Sequence, residues 1–271
     1  MKQILLITLL SLSLSARLNA QKIKLFTEKM DRGFIIYATN NELYAISVSL
    51  DLNLTNLLFS ENQKKIFVIP AKSEKFKVGE LTGAENSIRY DFSFKFKSTM
   101  GDVTITKYEK SFLYDLPFQK GKSYKLFQGY NGSFSHQNEN AIDFTMPEGS
   151  EVIAARDGIV VKVVKNNTES CPREECKKYN NFIMIMHSDG TFANYGHIKY
   201  NGTNLNIGDN VKKGNVIAYS GNVGYSSGPH LHFVSFLGGF EKMNTLETKF
   251  RIGKGDTAII LKEGSTYLRD Y

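Results

Sequence analysis

Gly228-Pro229-His230-Leu231-His232-Phe233 is the stretch of this sequence best suited to chemistry. Side chains on a strand alternate between faces, so His230 and His232 share one side and Leu231 and Phe233 the other. Two imidazoles aimed at one spot suit metal ligation or proton transfer, although such a pair also arises by chance on an ordinary surface. A carboxylate sharpens the case. Asp143 lies in the apolar strand pattern Ala141-Ile142-Asp143-Phe144, where an ionised group needs a cation or a metal beside it. His136 sits in Ser135-His136-Gln137-Asn138, on the polar stretch that feeds this strand. His136, Asp143 and His232 make a mixed nitrogen and oxygen donor set, as in an open zinc site with one position left for water or substrate. Zinc there lowers the pKa of water to about 7 and polarises a carbonyl, which is hydrolytic chemistry. No HExxH helix, P-loop or dinucleotide-binding glycine motif competes.

The elements that must position these residues are strands. No long amphipathic helical pattern occurs, and the expected class is all-β. Ile46, Val48, Leu50, Leu52 and Leu54 alternate with polar residues, as do Tyr90, Phe92, Phe94 and Phe96, with a shorter apolar run at Ile66 to Ile69. Short strands at this density predict a β-sandwich-like first domain. The aromatic stripe reads as core rather than as a sugar-stacking face, since alternation of this kind is what a sandwich produces. Near residue 118 the pattern gives way to Gly and Lys, so the expected division is 21–118 and 119–271. The second part has short strands such as Gly158 to Val164, Phe182 to Met186 and Val216 to Tyr219, and it holds all five histidines, at 136, 187, 197, 230 and 232.

Residues 1–20 read as an export signal, with Lys2, an apolar run from Ile4 to Leu14 and a polar stretch ending at Ala20. Export makes the mature protein periplasmic, envelope-bound or secreted. An oxidising compartment also lets Cys171 and Cys176, the two cysteines, close a disulfide loop rather than bind zinc. The formal charge is +7, and removing Lys2 and Arg17 leaves +5. That charge suits an anionic polymer, but the basic residues are scattered, which argues against a nucleic-acid module.

From about Ser135 to Phe233 the chain resembles the M23 family of zinc peptidases, the lysostaphin and LytM-like peptidoglycan endopeptidases. The resemblance rests on Ser135-His136, Ala141-Ile142-Asp143-Phe144, Met146-Pro147-Glu148-Gly149, Val152 to Gly158, Tyr195-Gly196-His197-Ile198, Val211-Lys212-Lys213-Gly214 and Ser220 to Phe233, in that order. It implies an antiparallel β-sheet peptidase domain with zinc on His136, Asp143 and His232, and with His197 and His230 as the two catalytic histidines that do not bind metal. His136 and Asp143 are seven residues apart, against four in many members, and Asn138 stands where a Gly often follows the first His. His187 matches a position that is not a ligand.

The expected activity is therefore zinc-dependent cleavage of cross-links or stem peptides in peptidoglycan, with a histidine taking the proton of water at the metal. Members with extra N-terminal parts are often latent, so the first domain is a candidate inhibitor of its own enzyme. Three other classes stay open: a non-catalytic or partner-dependent regulator of wall hydrolases, a peptidase acting on Gly-rich proteins, and a cupin-like metal barrel. Retention of all five site residues speaks against the first. The spacing of Asp143 and His197 speaks against the last.

Overall fold

The computed structural model describes residues 23–84 and 89–271, so the expected export signal lies outside the described residues. Strands Ile46–Thr55 and Asp91–Met100 pair antiparallel from Ser47 opposite Thr99 to Thr55 opposite Asp91, and Ile66–Ile69 pairs on the other edge of Ile46–Thr55. A second sheet runs in the order Ile23–Met30, Gly33–Asn40, Ser73–Gly83, Leu57–Phe59. Alternation decides which side chains meet between the two sheets: Val48 and Leu50 from one join Ile36, Ala38 and Leu81 from the other in a single core. Phe92, Phe94 and Phe96 pack against that core half-buried.

The histidine-bearing part is built on a nine-stranded sheet. Its order is Asn210–Val211, Gly158–Val164, Phe182–Met186, Phe192–Gly196, His230–Leu237, Ala141–Thr145, Ser123–Gln128 and Thr266–Leu268, with Asn244–Leu246 paired to the end of His230–Leu237. Leu231, Phe233, Tyr195, Ile183, Ile185, Ile142 and Phe144 point to one side and form its main core. The other side is divided along the strands. At one end it carries Asp143 and His232. At the other, Ala141, Val161, Met184, Phe192, Val234 and Phe236 pack into the core of the first unit. Tyr44 sets its ring edge against Phe192, with centroids 5.8 Å apart. At Gly238 the two units approach so closely that a Cβ there would lie 1.8 Å from the Met100 carbonyl oxygen. The first unit thus docks on the face that holds the candidate site, beyond it along the strands.

Tyr114, Leu116 and Phe118, on the N-terminal side of the expected division at 118, are packed in the core of the second unit. Leu113–Tyr114 pairs in parallel with Lys249–Ile252, and buried Asp115 meets Arg251 Nε at 2.8 Å, Arg269 Nη2 at 3.4 Å and Lys213 Nζ at 3.6 Å. Their period of two is a strand signal that Pro117 and the following Gly and Lys residues hide. Among the described residues, no helix is long and apolar enough to cross a membrane.

Candidate active site

His232 lies on a central strand, directly opposite Asp143 on one neighbour and Gly196 on the other. This register is what brings the carboxylate to the imidazole: His232 Nδ1 is 2.9 Å from Asp143 Oδ1. His136 arrives from the loop before the Asp143 strand, its Nδ1 held 3.2 Å from the Gly129 carbonyl oxygen. His136 Nε2 lies 3.2 Å from Asp143 Oδ2 yet off the hydrogen-bond axis, so this buried nitrogen has no hydrogen-bond partner. One donor atom from each of His136, Asp143 and His232 falls within 4.8 Å of the others. An unpartnered buried nitrogen beside a carboxylate and a second imidazole is a donor set that fits a metal ion. Burial alone would raise the Asp143 pKa, and the two imidazoles against it overcome burial, holding the carboxyl well below the usual carboxylate range.

His197 and His230 face the same groove, with ring centroids 4.4 Å apart. His197 Nδ1 is 2.7 Å from the Val223 carbonyl oxygen, and His230 Nδ1 is 2.8 Å from that of Gly228. A carbonyl only accepts, so each Nδ1 carries the proton and each Nε2 keeps a lone pair. Burial, then the neighbouring His230 and His232, push His197 down to about 3. Burial also lowers His230. Both rings are therefore neutral at pH 7 with a free Nε2 lone pair, and the strong depression of His197 makes that ring a weak proton acceptor.

Residues 137–243 match peptidase family M23, and His136 immediately precedes the match. The chain carries an M23 peptidase domain. It is 24% identical over 241 residues to an uncharacterized metalloprotease of Buchnera aphidicola, covering 81% of this chain and 59% of that protein. To the glycyl-glycine endopeptidase ALE-1 of Staphylococcus capitis it is 32% identical over 124 residues, covering 45% and 30%. To the DD-carboxypeptidase/endopeptidase Mpg of Neisseria meningitidis it is 31% identical over 98 residues, covering 36% and 20%. The chain thus spans less than two thirds of each of these relatives.

The groove of the M23 domain has a volume of about 280 Å³. Phe127, Phe134, Tyr225 and Lys177 wall it around the histidines, and each of its lining residues lies between Phe127 and His232. The first unit contributes none, so the described residues do not show it covering the groove. Cys171 and Cys176 are joined in a disulfide that closes the loop immediately before Lys177. His187 stands apart, buried, with Nδ1 2.7 Å from the Asp157 carbonyl oxygen.

Two residues that support the site escaped the sequence reading. Gln128 Nε2 donates to Asp143 Oδ2 at 2.9 Å and to Ser135 Oγ at 2.8 Å, while its Oε1 accepts from the Ser135 N–H at 3.1 Å. One carboxamide thus ties the carboxylate to the His136 loop. The signal was a polar residue at the end of a strand, two positions after Leu126 and so on the same face, the same kind of anomaly that flagged Asp143. Asn180 Oδ1 accepts the His197 N–H at 2.9 Å, and nothing in its local sequence announces that contact.

Proposed function

We propose that this protein is an exported zinc-dependent endopeptidase that hydrolyses peptide cross-links or stem peptides of bacterial peptidoglycan. The observation that carries the reading is the meeting, in one groove, of a His-Asp-His donor set and two buried neutral histidines. His136 Nε2, Asp143 and His232 Nδ1 would hold the zinc. Bound there, zinc supplies Lewis acidity, polarising a carbonyl and making water acidic enough to attack near neutral pH.

The remaining steps fall to the two other histidines. With each Nδ1 proton engaged by a carbonyl, neither resting ring has a proton to give. Nε2 of His230 accepts the proton that water loses on attack, and the ring, now cationic, is the donor that returns it to the leaving amine. His197 shares the groove and presents the same lone pair, so the cation is stabilised at either ring only while the other stays neutral. Exposed Phe134 and half-buried Tyr225 form the groove's aromatic flank, their rings 5.9 Å apart, and give an extended peptide apolar surface to lie against. Export is supported by the sequence of residues 1–20 and by the disulfide.

The test is mass spectrometry of fragments released from purified peptidoglycan by the zinc-loaded mature protein, beside its His232→Ala variant. New amino and carboxyl ends within stem or bridge peptides, absent with the variant, are the expected result and identify the bond. Intact cross-links with zinc verified in the protein would move the assignment to a partner-dependent regulator or another protein substrate.

A further inference from the structure

His197 has a backbone φ of 59°, the left-handed region that a residue with a Cβ holds only where its surroundings fix it. Two contacts do so: its N–H donates to Asn180 Oδ1 at 2.9 Å and its Nδ1–H to the Val223 carbonyl oxygen at 2.7 Å. The two holders belong to different segments. Asn180 follows the 3-10 turn Glu174–Tyr179, which contains buried Cys176. Val223 precedes Gly224–Tyr225, which pairs in parallel with Ser170–Cys171, and the Ser226 N–H donates to the Cys171 carbonyl at 3.2 Å. A Cys171–Cys176 disulfide joins the segments. The path from Cys171 through Tyr225, Val223, His197 and Asn180 to Cys176 is therefore a closed ring: the peptide chain joins the two cysteines through four residues, and the disulfide holds their Cα atoms 5.8 Å apart.

The other links in that ring are weak. A two-residue strand pairing and a single short 3-10 turn have little stability of their own. Gly224 packs against Asn180 so closely that a Cβ there would lie 2.8 Å from the Asn180 Cα, which couples the two arms only while both keep their places.

We propose that the Cys171–Cys176 disulfide and Asn180 are positioning elements for His197, so that the thiol–disulfide state of this pair sets the rate of the chemical step. The proposal rests on the peptidase reading above. A phosphine reductant breaks the Sγ–Sγ bond: phosphorus is oxidised to the phosphine oxide with the oxygen of one water, and the two sulfurs take that water's two protons as thiols. The arms holding His197 then keep only the peptide chain between them, and the fixed spacing of the two cysteines is lost. His197 relaxes out of its left-handed conformation and its imidazole leaves the place it shares with His230.

The experiment uses the full mature, zinc-loaded protein in oxidised form, after phosphine treatment, as the Cys171→Ser/Cys176→Ser double variant, and as Asn180→Ala and Asn180→Asp. Zinc per chain, the NMR resonance and hydrogen exchange of the His197 amide, and turnover of peptidoglycan peptides are measured for each. Reduction, the double serine variant and Asn180→Ala should leave zinc in place and speed exchange of the His197 amide at least roughly tenfold. They should also lower kcat by about tenfold to a hundredfold, the cost of a small misplacement of a reacting group. Asn180→Asp keeps an acceptor oxygen and should restore most of both. An unmoved His197 amide in the reduced protein, an Asn180→Ala variant equal to wild type, or loss of zinc on reduction would overturn the proposal. If oxidised wild type cleaves nothing, the peptidase reading fails while the amide measurement still decides whether the disulfide braces His197.

Discussion

Asp143 and His232 stand directly opposite each other on neighbouring antiparallel strands, and the carboxylate receives the imidazole at 2.9 Å. Strand register alone therefore builds two thirds of the donor set. The third member, His136, depends on a loop, and that loop is tied to the same carboxylate through Gln128.

Gln128 should accordingly govern metal affinity without touching metal. Gln128→Leu removes the donor to Asp143 Oδ2 and the anchor of Ser135, and zinc affinity should fall by roughly 10- to 100-fold, as it does when a group supporting a metal ligand is lost. His232→Ala should abolish stoichiometric binding. Competition with a chromogenic chelator measures both, and a Gln128→Leu affinity equal to wild type would show that the carboxamide is only a loop tether.

His187 should make the fold sensitive to acid. Burial pushes it from 6.5 down to about 4. Between those values the unfolded chain binds the proton and the folded chain does not, so stability rises with pH across the window and is lost as pH falls from 6.5 toward 4. The full effect is on the order of 3 kcal/mol. His187→Gln keeps a donor for the Asp157 carbonyl but does not titrate in this range. Denaturant unfolding at pH 4.5 and pH 7 should show a smaller acid loss in the variant than in wild type, and equal losses would refute the assignment.

Gly238 should be intolerant of any side chain. Its place against the Met100 carbonyl leaves no room for a Cβ, and Gly238→Ala must move one unit against the other. A cost of roughly 3 kcal/mol is expected from such overpacking, or a fall in Tm of about 10 °C for a chain of this size. Thermal unfolding followed by circular dichroism measures it.

What was legible in the sequence follows from how far each contact reaches. Ile46–Thr55, with its clean period of two, and Gly158–Val164, a short apolar run opened by glycine, stand where the sequence put them. Asp143 was visible because it breaks an apolar strand pattern, and His232 because it stands two residues from His230 on one strand face. Asn180 was not, because it acts on a residue 17 positions away through a turn that has no signature. The docking of the first unit left a trace that was not followed: after His232, Val234 and Phe236 continue the site face as apolar residues, and a strand apolar on both faces must be covered on both.

That cover decides how the protein can be cut. A 119–271 fragment lacks Tyr114, Leu116 and Phe118, all in the core of the second unit, and Asp115, the partner of Arg251, Arg269 and Lys213. Loss of one large buried side chain costs about 3–5 kcal/mol, and loss of three exceeds much of the roughly 5–15 kcal/mol that holds a typical domain. The fragment should fail to fold. A fragment beginning at Lys107 keeps those residues but uncovers Val161, Met184, Phe192, Val234 and Phe236 on the docking face, and it should fold yet self-associate through that apolar surface. Replacing Phe192 and Phe236 with Ser in the longer fragment should restore a monomer. Size-exclusion chromatography with light scattering, beside amide NMR spectra of both fragments, distinguishes the cases. Dispersed spectra and a monomeric mass for 119–271 would show that residues 113–118 are dispensable to the second core.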